Sequence, residues 1–182
     1  MGEKAQPSSN GAQLWGSILG MVSEMKRCDE GGLITASLAM AFICIDALAN
    51  LSRPAGKNRV TREDFQNWVD LHLKGHPEQP YQYRGKDVYA ARCAFLHTYG
   101  SVADLHEKDL DTVKYAYHDG GKHNFDPKVS SDIVVIGTKS FVNDVACAAE
   151  SFLEQCQADT LLRERVEARL PHVLSTLPYP VS

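Results

Sequence analysis

Seventeen residues from Leu33 to Ala49, LITASLAMAFICIDALA, carry a single charge, at Asp46, and no segment constrains the fold more. A helix apolar on nearly every side is stable only where other elements or lipid surround it. The run is short for a bilayer and contains a carboxylate that lipid does not solvate. It therefore predicts the central core helix of a soluble protein and no membrane association. A buried carboxylate also needs a partner. Asp46 either orients a functional side chain or bonds a backbone or hydroxyl group in the core.

The rest of the chain supplies faces to cover such a helix. Leu14, Ile18, Val22 and Met25, with Trp15 and Leu19 alongside, repeat at three- and four-residue steps and predict an amphipathic first helix that ends at Gly31-Gly32. Thr61 followed by Asp64 reads as a capping box for a third helix bearing Phe65, Trp68, Val69 and His72 and ending near Gly75 and Pro77. A fourth runs from about Lys86 to Thr98, with Gly100 as its C-terminal cap. From Lys139 the helical period returns twice, through Phe141, Val145, Ala148, Phe152 and Cys156 and then Leu162, Val166 and Leu170, until Pro171 bends or stops it.

Between these lie two β-branched or alternating stretches, Val113, Tyr115 and Tyr117, then Ile133 to Ile136. They predict two short antiparallel strands, although the intervening loop is too long for a tight hairpin. The fold class expected is mainly α: a bundle of about six or seven helices with a short two-stranded β insertion near 112–137. One domain fits the 182 residues, spanning 13–176 between a disordered tail over 1–12 and a C-terminal tail over 177–182.

Function classes can be narrowed. A net charge of −4 gives no overall field for capturing phosphate backbones, so a nucleic-acid site has to be local. Five cysteines, an odd number never in a C-x-x-C pattern, predict reduced and mostly buried thiols, and the tail at 1–12 has no apolar signal region. Cytoplasmic location is expected by default. Gly137-Thr138-Lys139-Ser140 lacks the upstream glycine of a phosphate loop. His72 and His76 meet a breaking helix, and His118 and His123 flank a turn-forming Asp119-Gly120-Gly121, so neither pair completes a metal signature. No metal and no cofactor are expected.

One string, Arg92-Cys93-Ala94-Phe95-Leu96-His97, joins a permanent cation to a group that exchanges protons near neutral pH. Arginine can stabilise charge developing on a phosphate, and histidine can accept a hydroxyl proton or protonate a leaving oxygen. A five-residue step rotates about 140° past a full turn, so a regular helix places the two on different faces. They converge if the last turn unwinds before Gly100 or if two subunits pool their residues. Thr98 and Tyr99 can contact phosphate or stack on a base, while Arg84 and Lys86 would extend a small positive patch. The alternative reading is an ion-paired surface arginine and an ordinary histidine at a helix end.

The motif RCAFLHTYG on a late helix, with IDALANL on an earlier apolar one, resembles the HEPN superfamily over roughly residues 33 to 100. The resemblance implies a helical bundle that homodimerises and, in active members, a metal-independent endoribonuclease site at the dimer interface. Carried over, Arg92 binds phosphate and His97 is the acid/base, with RNA as substrate and an antitoxin-like protein as a partner, as in toxin–antitoxin pairs. Active members often place a polar residue after the arginine, where this chain has Cys93. That difference keeps a second reading open: a non-catalytic dimeric module that binds a protein or a small ligand.

Overall fold

The computed structural model describes residues 9–109 and 111–173. The expected C-terminal tail lies outside that range, as do residues 1–8 of the N-terminal one. Residues 9–12 are helical, because α1 spans Ser9–Glu30. It is closed by Gly32, whose φ of 71° is one that side-chain-bearing residues rarely adopt, and by a bond from Leu33 N–H to the Cys28 carbonyl at 2.8 Å.

The apolar run becomes α2, Ile34–Ser52. By length and composition this helix is sufficient to cross a membrane. Here it packs against α1, against α3 (Arg62–His72) and against α6 (Thr138–Ala158). Leu38, Ala41, Phe42, Ile45, Leu48 and Leu51 are at most 2% exposed. The capping box of α3 forms as its sequence predicts, Asp64 N–H donating to Thr61 Oγ1 and the Asp64 carboxylate accepting from Thr61 N–H. Helices α4 (Gly85–Thr98) and α7 (Thr160–Glu167), a short α5 (Asp104–Lys108) that no periodicity announced, and a 3-10 turn at Leu170–His172 around Pro171 complete the helices.

Strands β1 (Lys114–His118) and β2 (Ile133–Gly137) form where expected but pair in parallel, Tyr115 opposite Val134 and Tyr117 opposite Ile136. Residue alternation cannot report direction. The connecting loop turns back along the far side of β2, where Asn124 and Val135 exchange backbone hydrogen bonds of 2.8 and 2.9 Å, so the chain re-enters β2 from the same end as β1. His123 in that loop is not a surface turn residue. It is 2% exposed, its Nδ1 accepts Gly137 N–H, and its Nε2 lies 2.8 Å from Tyr83 Oη, which donates to Asp144. Only Cys44 and Cys156 of the five free thiols are buried, fewer than expected.

Two contacts fix the position of α4. A Cβ on Gly85 would meet the Gln66 carbonyl of α3, so only glycine lets the helices approach this closely, and Gly85 N–H donates to Asp70 Oδ1 at 2.6 Å. Asp87, with no exposed surface, accepts from Arg84 Nε, from Tyr81 Oη at 2.7 Å and from Val113 N–H at 3.0 Å. Tyr81 and Tyr115 hydroxyls are 2.9 Å apart. One carboxylate thereby ties the start of α4 to the start of β1.

Burial pushes the His72 imidazole down to about 4, helped by Lys74, and burial does the same to His123, helped by His118, against an ordinary value of 6.5. Both stay neutral when folded and take up a proton when unfolded, so the unfolded state binds more protons between pH 6.5 and 4. Stability therefore falls as pH drops through that window. Urea denaturation at stepped pH should show the fall, and His72→Phe should flatten it; an unchanged slope would contradict the assignment. Asp87→Ala should cost roughly 2–5 kcal/mol in the same assay, because it leaves two buried donors, Tyr81 Oη and Val113 N–H, without their acceptor and takes a partner from the half-exposed Arg84.

Candidate functional site

Helix α4 stays regular through Thr98 and ends with Tyr99 in the left-handed region at φ 51°. The expected cap, Gly100, is one position too late. Tyr99 N–H bonds the Phe95 carbonyl at 3.0 Å and Gly100 N–H bonds the Ala94 carbonyl at 3.1 Å, so two of the helix's last carbonyls are satisfied around the turn at Tyr99. A tyrosine holds this conformation because it is anchored. Its hydroxyl lies 3.0 Å from Thr35 Oγ1 at the start of α2, and its ring leans on Phe95 at 5.7 Å between centroids.

Despite the rotation between them, Arg92 and His97 meet within one chain. Arg92 Nη1 lies 3.1 Å from His97 Nε2, and the contact needs neither an unwound last turn nor a second subunit. The length of the arginine side chain closes the gap, and Asp46 sets its direction. Both Arg92 Nε and Nη2 lie 2.7 Å from Asp46 Oδ2, so the lone carboxylate of α2 is what aims the guanidinium. Arginine has no acceptor, so His97 Nε2 accepts and its proton sits on Nδ1 in this arrangement. Of five guanidinium N–H groups, two face Asp46 and one faces His97, while Cys93 Sγ lies 3.9 Å from Nη1.

Burial raises the Asp46 carboxyl above the ordinary carboxylate range, although Arg92's hydrogen bond, its charge and His97 all pull the other way. For Arg92 the balance reverses. Burial works against its charge, but the bond to Asp46 and that group's charge outweigh it, and the pKa is raised. The side chains are only partly covered, 22% exposed for Arg92 and 27% for Asp46, while His97 is exposed. The triad is therefore half-shielded, with its imidazole on the outside.

Other expected members stand apart. Thr98 Oγ1 turns back to donate to the Ala94 carbonyl at 2.7 Å and is committed to its own helix. Tyr99 is 72% exposed but bonds Thr35, not the triad. Arg84 and Lys86 add no free positive patch, since Arg84 pairs with Asp87 and Asp111, and Lys86 with Asp109 and Asp111. Sequence reading did not single out Arg62, whose guanidinium carbon sits 5.5 Å from the centre of the Tyr89 ring, one turn before Cys93 on α4. No periodicity or motif marks that contact. Among the described residues no cluster of His, Cys, Asp and Glu could hold a metal ion.

Such an arrangement holds an imidazole beside a fixed cation at a solvent-facing helix end, a combination suited to binding an anion and moving a proton next to it. Comparison with known families, curated proteins and solved structures finds no match to this chain.

In Arg92→Met, which keeps the chain length but removes the donor, the His97 tautomer should lose its preference for Nδ1–H. Long-range 1H–15N correlation of the imidazole nitrogens at alkaline pH would register the change, and identical nitrogen shifts in parent and variant would refute the Arg92–His97 bond.

Proposed function

We propose that this protein is a HEPN-like RNA-binding protein whose Arg92 and His97 cleave RNA without a metal. The observation carrying this reading is the 3.1 Å contact between Arg92 and His97 at the exposed end of α4, with Asp46 steering the guanidinium. An incoming phosphate takes one of the guanidinium's two uncommitted N–H groups and competes with His97 for Nη1. The imidazole so released has its Nε2 lone pair free to accept the 2′-hydroxyl proton. The 2′-oxygen then bonds to phosphorus, the P–O5′ bond breaks, and the departing oxygen takes up a proton, leaving a 2′,3′-cyclic phosphate. Every group needed for this route is a side chain or the substrate's own hydroxyl.

A homodimer is part of the proposal. Ile43, one turn before Asp46 on α2, is 44% exposed, and Cys93 and Leu96 on α4 are only half-buried. An apolar stripe beside the triad suits a twofold contact that brings two sites together. An antitoxin-like partner covering the same face and a cytoplasmic setting belong to this reading as proposals.

A second reading has its own support. Three of the arginine's N–H groups are already engaged and Cys93 stands where active HEPN members often carry a polar residue, both of which suit a non-catalytic dimeric module. One experiment separates the two. Purified protein incubated with mixed-sequence RNA in chelator should yield cyclic phosphate ends, and His97→Ala should lower the rate by about 10²- to 10⁴-fold. Cleavage that needs added metal, or that survives in His97→Ala, would falsify the mechanism; no cleavage by parent or variant would leave the non-catalytic module that binds a protein or a small ligand.

A further inference from the structure

A directed chain of buried hydrogen bonds ends at a cleft of about 590 Å³ between the start of α6, the 74–79 connection and the loop that joins the strands. His123 Nδ1 accepts Gly137 N–H, so the ring's proton sits on Nε2 and donates to Tyr83 Oη at 2.8 Å. Tyr83 in turn donates to Asp144 Oδ2 at 2.9 Å. All three bonds thus run one way and end on one oxygen of one carboxylate. Asp144 is 8% exposed and lines the cleft. Its other oxygen, Oδ1, receives no hydrogen bond from the described residues, yet it is not one of the four fully enclosed side-chain atoms that lack a partner, Trp68 Nε1, Thr112 Oγ1, Thr138 Oγ1 and Arg165 Nε. Oδ1 therefore keeps open surface, and the cleft is where that surface lies.

The cations of this wall leave Asp144 alone. Lys74 Nζ donates to the Asp70 carbonyl, Lys122 is exposed on the loop, and neither forms an ion pair among the described residues. His76 Nδ1 accepts Glu78 N–H at 3.3 Å, which leaves its Nε2–H as a donor. Gln79 is engaged at both ends, its Nε2 with the Gly121 carbonyl and Ser140 Oγ, its Oε1 with His123 N–H. The acceptors still open are Asp144 Oδ1, the Glu78 carboxylate and the amide oxygen of Asn143, whose nitrogen faces Cys147 Sγ at 3.9 Å. Burial holds the Asp144 carboxyl above the ordinary carboxylate range, against the pull of Tyr83, Asn143 and His76. A nearly enclosed carboxylate with no cation on it carries a desolvation cost that a positive ligand offsets.

We propose that this cleft binds a small primary amine, its ammonium donating to Asp144 Oδ1, with Glu78 and the Asn143 amide oxygen as further acceptors. Tyr83 holds one carboxylate oxygen, so a planar guanidinium finds no match for its second N–H, whereas a compact ammonium needs only the free one. The volume lies within the roughly 300–1,000 Å³ of small-ligand sites, and the Ser140 hydroxyl and His76 Nε2–H suit an amine that also carries a hydroxyl. The site shares no residue with the Arg92–His97 triad and does not depend on the ribonuclease reading.

The probe is ethanolamine, titrated at neutral pH into the 13C,15N-labelled full chain, with ethylene glycol, potassium chloride and methylguanidinium chloride as controls. The Asp144 carboxyl carbon, assigned by its disappearance in Asp144→Asn, should move in a saturable way with ethanolamine and stay in place with ethylene glycol and potassium. Methylguanidinium should bind more weakly than ethanolamine. In Asp144→Asn, which keeps an acceptor for Tyr83 but removes the charge, ethanolamine affinity read at the Asn143 side-chain amide should fall roughly 10- to 100-fold, the loss of one charge-assisted bond. Should that variant not fold, the parent's discrimination among these solutes decides alone. No saturable movement with ethanolamine, an equal response to ethylene glycol or potassium, tighter binding of methylguanidinium, or undiminished affinity in a folded Asp144→Asn would overturn the proposal.

Discussion

Everything else in this molecule is arranged around the need to surround α2. A helix with Phe42, Cys44, Ile45, Leu48 and Ala49 all withdrawn from water needs partners on most of its circumference, and α1, α3 and α6 are placed to provide them. Burying one such large side chain contributes roughly 1.5–3 kcal/mol, so the helix supplies a large share of the driving force for collapse. The same demand explains why the one carboxylate on α2 cannot be neutral in its effect. Asp46 lies where the bundle opens, and the guanidinium that satisfies it is carried there by α4.

Seen this way, the Arg92–His97 pair is a by-product of satisfying a costly charge. Asp46 takes hold of Arg92 by two nitrogens, and the remaining nitrogen is directed along α4 toward its C-terminal end, where His97 waits. The helical spacing that separates the two side chains is overcome by a third residue 46 positions earlier in the chain. A half-shielded charge on the core helix thus becomes the orienting element of a half-exposed acid/base site.

Legibility divided along physical lines. Elements defined by local chemistry were readable: the capping box at Thr61 and Asp64, the glycine break before α2, the periods of α3 and α6, and the strand character of Tyr115 and Val134. Features set by distant contacts were not. Strand direction depends on where the 119–132 loop passes, and nothing in the alternation of residues records that path. His123 looked like a turn residue beside two glycines, yet its ring is fixed by Gly137 and Tyr83 from other elements. Of the site, Asp46 was legible as a buried charge in want of a partner, but which partner it took was not. Lys86 looked like a free cation because Asp109 and Asp111, which neutralise it, lie more than twenty residues downstream, and Arg84 because Asp87, only three residues on, read as a first-turn carboxylate of α4.

The left-handed turn at Tyr99 has one more consequence. Its hydroxyl is latched to Thr35 and its backbone closes α4, so the end of the helix is anchored to the start of α2 across 64 positions of sequence. The imidazole two residues earlier is thereby mechanically insulated from whatever follows. The exposed stretch of the returning loop, Asp126 to Val129, can be lengthened, trimmed or exchanged at the surface while His97 keeps its place. That makes this loop the natural place for the architecture to diversify without disturbing its chemistry.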